Sequence, residues 1–409
     1  MGTQGRGRAA RGRSPGRDMG ICVGVWGRRL PVLSALLGAL LIIATASRVG
    51  ASTYYVAPAG SDQAPGTHSA PWQTLRKALT SLYPGDTLYL RGGLYVENLG
   101  GDTPIRIRPA TPQAPIQVRA YPGERPVLQG LLWLHSASSW ALNGLNVTGK
   151  AGNLQTWHLV KFTNGTGWSF LNAEVWGANS LAGILVATTT AGEPANWRIA
   201  GNAIHDIRTQ PAIGINTDHC IYVNSGDTPG GVIEHNLLYN ATNGEGVKLG
   251  GSSASQIGPA NVIVRYNTIY NTGQSILVAW SAKNNQLTGN LMQKVGTNYG
   301  CIRGYQLTGT GNVATANAGY GARLLLLNDA GSPASGYPGV QDGGGNLFPL
   351  DPQFDTIGPG GFHPLDLAAQ AYGCYTNKGR CPHPQAGTRP RPSPGVKSQP
   401  LPPDSVELF

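Results

Sequence analysis

Ionisable side chains with complementary chemistry are concentrated in two short segments of the 409-residue chain and at one arginine further along. They comprise two acids, three basic residues and one tyrosine: Asp218, His219, Tyr222, Glu245, Lys248 and Arg303. A lysine can remove a proton from carbon when its surroundings lower its pKa, and an arginine can hold a carboxylate. If the fold places these segments side by side, Lys248 becomes a candidate base and Arg303 a candidate carboxylate-binding residue.

A repeated phrase indicates the fold that would bring these segments together. Asparagines that follow a short apolar segment recur at intervals of 30, 34, 31 and 23 residues: Asn172, Asn202, Asn236, Asn267 and Asn290. Between them lies a second apolar phrase, seen in Cys220-Ile-Tyr-Val and Gly246-Val-Lys-Leu. A repeat of this length in a sequence with 59 glycines indicates a solenoid, in which each repeat forms one rung of stacked strands and turns.

The second phrase predicts which side chains face outward. Alternate side chains of a strand point to opposite faces, so Ile221 and Val223 would point inward. The same rule turns Cys220 outward. Alignment of the rungs then puts four residues in one outward column: Tyr222, Lys248, Leu277 and Arg303. Three more residues at the start of these phrases would share that surface: Asp218, His219 and Glu245.

The interior of the solenoid and its asparagines have structural roles in this interpretation. Six side chains are predicted to face inward: Ile199, Ile221, Ile233, Val247, Ile276 and Ile302. Asparagine tolerates left-handed backbone and hydrogen-bonds to neighbouring backbone, so the repeated asparagines are expected at turns. Stacked from rung to rung, their amides would form a hydrogen-bonded ladder. We therefore assign these asparagines a structural role and not a catalytic one.

Several segments resemble the right-handed parallel β-helix proteins of the pectate-lyase-like superfamily. The resemblance covers about residues 53–375 and includes the phrases at Cys220 and Gly246. It is clearest in four further segments: Tyr54-Tyr-Val-Ala-Pro-Ala-Gly-Ser-Asp, Pro71-Trp-Gln-Thr-Leu-Arg-Lys-Ala-Leu, Pro84-Gly-Asp-Thr-Leu-Tyr-Leu and Phe362-His-Pro-Leu-Asp-Leu. The resemblance implies an all-β fold, a right-handed parallel β-helix (solenoid) with an N-terminal capping helix. The apolar spacing places that helix at residues 72–82.

The resemblance also implies a chemistry. Polysaccharide lyases of this fold use a lysine or arginine as base, and often Ca²⁺ on the substrate carboxylate. This implies β-elimination on a uronate-containing polysaccharide, with Lys248 as base and Arg303 on the carboxylate. Asp218, His219, Tyr222 and Glu245 would then contact the substrate. Ca²⁺ needs several oxygen ligands, and the nearby acids are scattered along the sequence, so the cofactor is left open.

Other interpretations of these residues stay open at this point. A glycoside hydrolase of the same fold needs two carboxyl groups, which Asp218 with Glu245 or Asp206 would supply. A non-catalytic glycan-binding protein would use the abundant tryptophans as stacking surfaces: Trp133, Trp140, Trp157, Trp168, Trp176, Trp197 and Trp280. If neither residue has a functional role, Lys248 is a solvated lysine on the surface and Tyr222 is a packing residue.

The termini predict the domain organisation. Residues 1–29 carry seven arginines, and the following segment from Leu30 to Ala46 is apolar and uncharged. This pattern is typical of an export leader, which we place at residues 1–51, and it predicts a secreted, extracellular protein. An uncleaved leader that anchors the protein to a membrane is the alternative. The β-helix domain is predicted at residues 52–380, followed by a proline-rich, disordered tail at 381–409.

The net charge bears on which class of partner the protein binds, and the cysteine spacing bears on which disulfide it forms. The whole chain has a net charge of +10, but residues 52–381 hold 19 basic and 17 acidic residues, a net charge of only +2. This charge gives little support to nucleic-acid binding. The family resemblance implies a polysaccharide partner, and we expect a monomeric protein. Cys374 and Cys381 enclose a short hydrophilic loop and are predicted to form a disulfide. Cys220 and Cys301 fall in separate rungs and are expected to be unpaired, outward-facing or turn residues.

Overall fold

The computed structural model describes residues 50–101, 103–149, 158–189, 194–208, 217–226, 229–251, 257–295, 299–329, 337–358, 360–376 and 381. These residues belong to one compact unit that begins at Gly50. The predicted leader up to residue 49 and the predicted tail after Cys381 lie outside the described residues, and the domain limits stay a prediction. Within the described ranges, no helix is long and apolar enough to cross a membrane.

Short strands joined by turns make up most of the described chain. The first elements are β1 (Thr53–Val56), α1 (Leu75–Ser81), β2 (Thr87–Leu90), β3 (Gly93–Val96), β4 (Ile105–Arg106), β5 (Ile116–Ala120), β6 (Pro126–Gln129), β7 (Leu132–His135), β8 (Trp140–Asn143), β9 (Asn146–Thr148), β10 (Val160–Thr163), β11 (Ser169–Leu171), β12 (Glu174–Asn179) and β13 (Ala182–Ala187). The remaining strands are β14 (Arg198–Ala200), β15 (Ala203–Arg208), β16 (His219–Asn224), β17 (Val232–Glu234), β18 (Leu237–Leu249), β19 (Ile263–Arg265), β20 (Thr268–Ala279), β21 (Gln286–Thr288), β22 (Leu291–Val295), β23 (Gly300–Tyr305), β24 (Val313–Thr315), β25 (Ala318–Tyr320), β26 (Leu324–Asn328) and β27 (Gln341–Asp342). A 3-10 turn spans Ala369–Ala371.

The strands pair in parallel and stack as three sheets, which confirms the predicted right-handed parallel β-helix. The first sheet contains β1, β2, β5, β8, β11, β14, β17, β19, β21, β24 and β27. The second sheet contains β3, β6, β9, β12, β15, β22 and β25, and the third contains β4, β7, β10, β13, β16, β23 and β26. The long strands β18 and β20 turn a corner, so their first halves belong to the second sheet and their second halves to the third.

Apolar side chains fill the interior of the helix. The six side chains predicted to face inward are all fully buried: Ile199, Ile221, Ile233, Val247, Ile276 and Ile302. Three of the tryptophans considered as sugar-stacking surfaces are buried as well: Trp140, Trp168 and Trp197. These three rings therefore belong to the core, and Trp157 lies outside the described residues.

Buried asparagines form a ladder at the corner between the first and second sheets. Asn202 donates from Nδ2 to Oδ1 of Asn236 at 3.0 Å, and Asn236 donates in the same way to Asn267 at 2.9 Å. The contact continues through three more residues: Asn290, Asn317 and Asn346. The predicted structural ladder is confirmed.

Asn172 is not a member of this ladder. Its φ of 51° matches the left-handed conformation of Gly201, the residue before Asn202. Ala173 takes the ladder position instead, because its N–H donates to Oδ1 of Asn202 at 3.0 Å. The predicted alignment of this rung is therefore wrong by one residue, and a slip of one residue exchanges the two faces of β12.

The amino-terminal end of the solenoid is closed by α1. Thr74 caps the helix, accepting a hydrogen bond from the N–H of Lys77 at 3.1 Å. Leu75 and Leu79 are fully buried beneath it. Trp72 lies just before the helix and stacks on Tyr54, with ring centroids 4.6 Å apart. The predicted capping helix is thus observed, although it is shorter than residues 72–82.

Two of the cysteines are placed differently from the prediction. Cys220 and Cys301 are unpaired but fully buried, so the outward or turn position predicted for them is wrong. Cys220 and Ile221 are consecutive buried residues, because strict alternation breaks where the chain leaves the corner between the second and third sheets. A disulfide joins Cys374 to Cys381.

Candidate functional site

Outward side chains of the third sheet form a continuous column, which we call the third-sheet column. Strand register aligns its members one per rung: Trp133, Lys161, Leu185, Tyr222, Lys248, Leu277 and Arg303. The part from Tyr222 to Arg303 is the alignment that the sequence predicts. Six rung steps at about 4.8 Å give the column a length of about 29 Å.

Lys248 lies over the ring of Tyr222, with Nζ 4.6 Å from the ring centroid. Both side chains are half-buried, whereas the sequence suggests an exposed lysine. Burial lowers the pKa of Lys248, and the carboxylate of Glu245 opposes that shift. Arg303 lies two rungs away from Lys248, so burial and not a neighbouring cation lowers the pKa of Lys248.

Arg303 is already engaged by an acid. Its Nε and Nη2 donate to Oδ1 of Asp329 at 3.1 and 2.9 Å. Its guanidinium lies between two rings, 4.6 Å from the centroid of Tyr299 and 4.7 Å from that of Tyr305. This fixes the guanidinium on the third-sheet column, and a substrate carboxylate would have to share it with Asp329.

His219 and Glu245 do not lie on the surface as the sequence suggests. Nδ1 of His219 lies against Oε2 of Glu245, and the exposures of the two residues are 2% and 0%. Gln274, in the next rung, donates from Nε2 to Oε1 of Glu245 at 3.0 Å. The pairing of β18 with β20 shifts register between Ala241 and Glu245, at the corner of the helix. These residues therefore support the third-sheet column from below.

Asp218 is also buried, at 1% exposure. Its Oδ1 accepts from the hydroxyl of Thr217 at 3.2 Å, and its Oδ2 from Nδ2 of Asn243 at 3.3 Å. Asp218 and Glu245 are thus both buried and hydrogen-bonded, which gives no support to their use as the two exposed carboxyls of a hydrolase.

The carboxylates near this surface do not fit a Ca²⁺ site. Asp218 and Glu245 are each committed to their own hydrogen-bonding partners. Asp206, on the second sheet, accepts from Asn240 at 3.0 Å and pairs with His205. Within the part of the chain that the structure describes, no group of three or more His, Cys, Asp or Glu side chains is arranged to hold a metal ion. Ca²⁺ prefers several converging oxygen ligands, which this donor set does not supply.

The amino-terminal end of the third-sheet column carries a second lysine on an aromatic ring. Lys161 Nζ is 3.7 Å from the centroid of Trp133, and burial lowers the pKa of this lysine too. The indole N–H of Trp133 donates to the hydroxyl of Thr163 at 2.8 Å, which orients the ring. Sequence reasoning missed Lys161, although its position in the rung before Leu185 would have identified it.

A further charged cluster lies on the second sheet. Glu174 pairs with Arg125 through Oε2 and with Nε2 of His205 through Oε1 at 3.0 Å. His205 Nδ1 lies 2.8 Å from Oδ2 of Asp206, and its ring stacks on Tyr239 at 4.4 Å. Burial would lower the pKa of His205, but the hydrogen bonds to Asp206 and Glu174 outweigh burial and raise it. Glu174 and His205 are buried, Asp206 at the outer end is exposed, and all the charged groups of the cluster are paired, so we assign the cluster a structural role.

Comparison with known proteins gives a family match for part of the chain. Residues 54–193 match the family model described as "Pel9A-like, right handed beta helix region". The chain is 37% identical over 105 residues to "Pectate lyase PEL9" of Emericella nidulans, and the match covers 25% of this chain and 22% of that protein. The chain thus spans about a fifth of the length of this curated relative.

Solved structures with a similar backbone fold are less similar to this chain in sequence. The complex of XylC with xylose has a TM-score of 0.49 at 12% identity and covers 66% of this chain and 67% of that chain. Pectate lyase Pel9A has a TM-score of 0.45 at 15% identity and covers 66% and 70%. Similarity at this level does not bear on activity. The parallel sheets of the described residues form a β-helix, and residues 54–193 are similar in sequence to the β-helix region of Pel9A-like proteins.

Proposed function

We propose that the protein binds a uronate-containing polysaccharide along the third-sheet column and cleaves it by β-elimination, with Lys248 as the base. The environment of Lys248 is the observation that carries this proposal. Its amine lies over the ring of Tyr222 on an outward strand, and burial lowers its pKa. A lowered pKa enlarges the fraction of free amine, which is the form that a general base requires. The name of the curated relative, a pectate lyase, supports the same class of reaction.

In this reaction Nζ of Lys248 takes the proton from the ring carbon that carries the carboxylate. The electron pair left behind forms a double bond to the neighbouring ring carbon. The bond from that neighbour to the glycosidic oxygen breaks, and the released chain takes up a proton from water. Negative charge that develops on the carboxylate must be met by a cation or a hydrogen-bond donor.

Arg303 and Lys161 lie on either side of Lys248 along the third-sheet column. Arg303 is two rungs away and Lys161 three, which corresponds to about 10 Å and about 14 Å at the strand spacing. At these distances each would bind the carboxylate of a different sugar unit from the one that Lys248 deprotonates. A polyanionic chain would therefore meet cations at three positions, with His219, Glu245 and Asp218 supporting the surface beneath it.

A glycan-binding role without catalysis is the second candidate. It is favoured by the two lysine–aromatic pairs, because an ammonium over a ring can recognise a sugar without any reaction. It is also favoured by the ion pair of Arg303 with Asp329, which holds that guanidinium in place. In this role the third-sheet column would retain polysaccharide and release no product.

We infer that the protein is exported and acts as a monomer on extracellular polysaccharide. The arginine-rich and then apolar amino-terminal segment supports export. Amino-terminal sequencing of secreted protein tests this inference and should give a start near Ser47 or Ser52. An intact leader on membrane-bound protein would contradict it.

The catalytic proposal is tested by incubating the protein with polygalacturonate and a panel of other uronans, and following absorbance of the unsaturated product. Lys248→Ala should lower the initial rate by about a hundredfold or more, the effect of losing a general base. Lys77→Ala is the matched control, because Lys77 lies on the capping helix. Full activity of Lys248→Ala would exclude Lys248 as the base. Retention on polysaccharide without product from the wild-type protein would favour the binding role.

A further inference from the structure

A groove of about 590 Å³ lies at the corner between the first and second sheets, away from the third-sheet column. We call it the corner groove. Small residues form its floor: Ala120, Gly144, Ala173, Gly201 and Ala203. Aromatic and polar residues form its rim: Tyr89, Tyr121, Arg119, Asn143 and Asn172. Its volume is within the range of sites for small ligands.

The corner groove is open because of residue size in the early rungs. Gly144, Asn172 and Gly201 occupy the same corner position in successive rungs, each donating its N–H to the next rung. In the following rungs this position is taken by His235 and Tyr266, whose rings stack with centroids 5.4 Å apart. These rings occupy the corner where the earlier rungs have glycine or asparagine. The groove therefore ends where the aromatic pair begins.

The rim has the groups that recognise sugars. Tyr89 and Tyr121 form an aromatic ledge, with centroids 5.8 Å apart and planes at 74°. Asn172 donates to Asn143 at 3.0 Å, so the two amides present a fixed polar edge. Arg119 is exposed beside them. Aromatic rings pack against pyranose faces, while amides and guanidinium groups bind hydroxyls and carboxylates.

The negative charge at this rim is neutralised within the protein. Glu124 accepts from Nε and Nη2 of Arg91 at 2.9 and 2.7 Å, and from the N–H of Gly92 at 2.6 Å. Glu174, at the far end of the corner groove, is 5% exposed and paired with Arg125. Arg119 is not part of these ion pairs, so the corner groove presents a positive charge to a ligand.

We propose that the corner groove is a second binding site for acidic sugar chains, in which a ring packs on Tyr121 and a carboxylate bonds to Arg119. The amides of Asn143 and Asn172 would bind ring hydroxyls. This inference takes its class of ligand from the proposed function, but it does not depend on catalysis. A second site on another face would hold a long polymer on the protein between encounters with the third-sheet column.

Calorimetric titration of hexagalacturonate into the full-length Lys248→Ala protein tests the proposal, because turnover is then avoided. We expect two binding events. Adding Arg119→Ala should weaken one of them by about tenfold or more, the effect of losing a hydrogen bond to a charged group. Adding Asn172→Tyr should abolish the same event, because the new ring would fill the corner groove. Tyr266 already holds a tyrosine with this left-handed backbone, at a φ of 53°. Tyr83→Ala, at an exposed tyrosine outside the groove, is the control and should leave both events unchanged.

Unchanged binding by both Arg119→Ala and Asn172→Tyr would overturn the proposal. Equal binding of neutral xylohexaose at the groove would overturn its acidic specificity. If only the proposed lyase function is wrong, wild-type protein does not cleave uronans, but the binding event that Arg119→Ala weakens is still observed. Conversely, cleavage by the wild type with a single binding event, lost on Trp133→Ala, would leave the lyase proposal intact and exclude the second site.

Discussion

Replacement of Asn236 by alanine removes the centre of the buried asparagine ladder. The side chain is fully buried, and its Oδ1 accepts from the backbone N–H of Asn202 at 2.9 Å. Its Nδ2 donates to the backbone carbonyl of Ile199 at 3.0 Å. In the variant, these two main-chain groups lose these partners in a place that water does not reach. Each buried group left unsatisfied costs about 1 to 3 kcal/mol, so the free energy of unfolding should fall by about 2 to 6 kcal/mol.

Asn346, at the last position of the ladder, provides the matched control. It accepts from the N–H and Nδ2 of Asn317 at 2.9 and 3.1 Å but is partly exposed, so water can replace it in Asn346→Ala. We expect this variant to lose about 1 kcal/mol or less. Urea unfolding followed by far-ultraviolet circular dichroism measures both values. An equal loss in the two variants, or no measurable loss for Asn236→Ala, would refute the argument that burial makes the ladder stabilising.

Three further outcomes are expected. Hydrogen bonds to Asp206 and Glu174 outweigh burial and raise the pKa of His205. The stabilisation from the protonated His205 ring is therefore fully present below about pH 6.5 and is lost as pH rises through the raised pKa. The melting temperature should therefore fall above about pH 6.5, and His205→Gln should remove that dependence; a wild-type profile that is flat there would contradict it. Because burial lowers the pKa of Lys248, the cleavage rate should rise with pH through a midpoint below the ordinary lysine value of about 10.4, and Lys248→Ala should show no such rise. Cys374→Ser, which removes the disulfide to Cys381, should lower stability by about 2 kcal/mol; equal unfolding of oxidised and reduced wild-type protein would argue against this.

The rung register could be predicted because two simple rules agree. Alternation along short strands assigns inward and outward residues, and the repeated phrases set how one rung lies on the next. Together they align Tyr222 with Lys248 and Leu277 with Arg303, as the parallel pairings show. Apolar interior positions follow from the same rules, because a slip of one residue would expose them.

Burial of His219 and Glu245 could not be predicted in this way. Alternation holds only within a regular strand, and β18 turns a corner just before Glu245, where its pairing with β20 shifts register. The same corner makes Cys220 face the core next to Ile221. Which side chains a corner covers depends on packing between sheets, and this information is not contained in the period of one strand.

The charged cluster on the second sheet could not be predicted, because the sequence alignment of this rung is wrong by one residue at Asn172. Aligning Asn172 with Asn202 matches Trp176 to the wrong residue, whereas the observed register places Trp176 beside His205. Matching Ala173 to Asn202 would have revealed that pair. The partner of Arg303 was hidden for another reason, since Asp329 follows β26, in a segment that carries no repeated phrase.

Mass spectrometry of the products of polygalacturonate cleavage tests the central claim most directly. β-Elimination adds no water, so each cleavage should give a fragment with an unsaturated non-reducing end that is lighter by one water than the saturated oligomer of the same length. The same products should be absent with Lys248→Ala. Saturated fragments alone would show hydrolysis and would contradict the account.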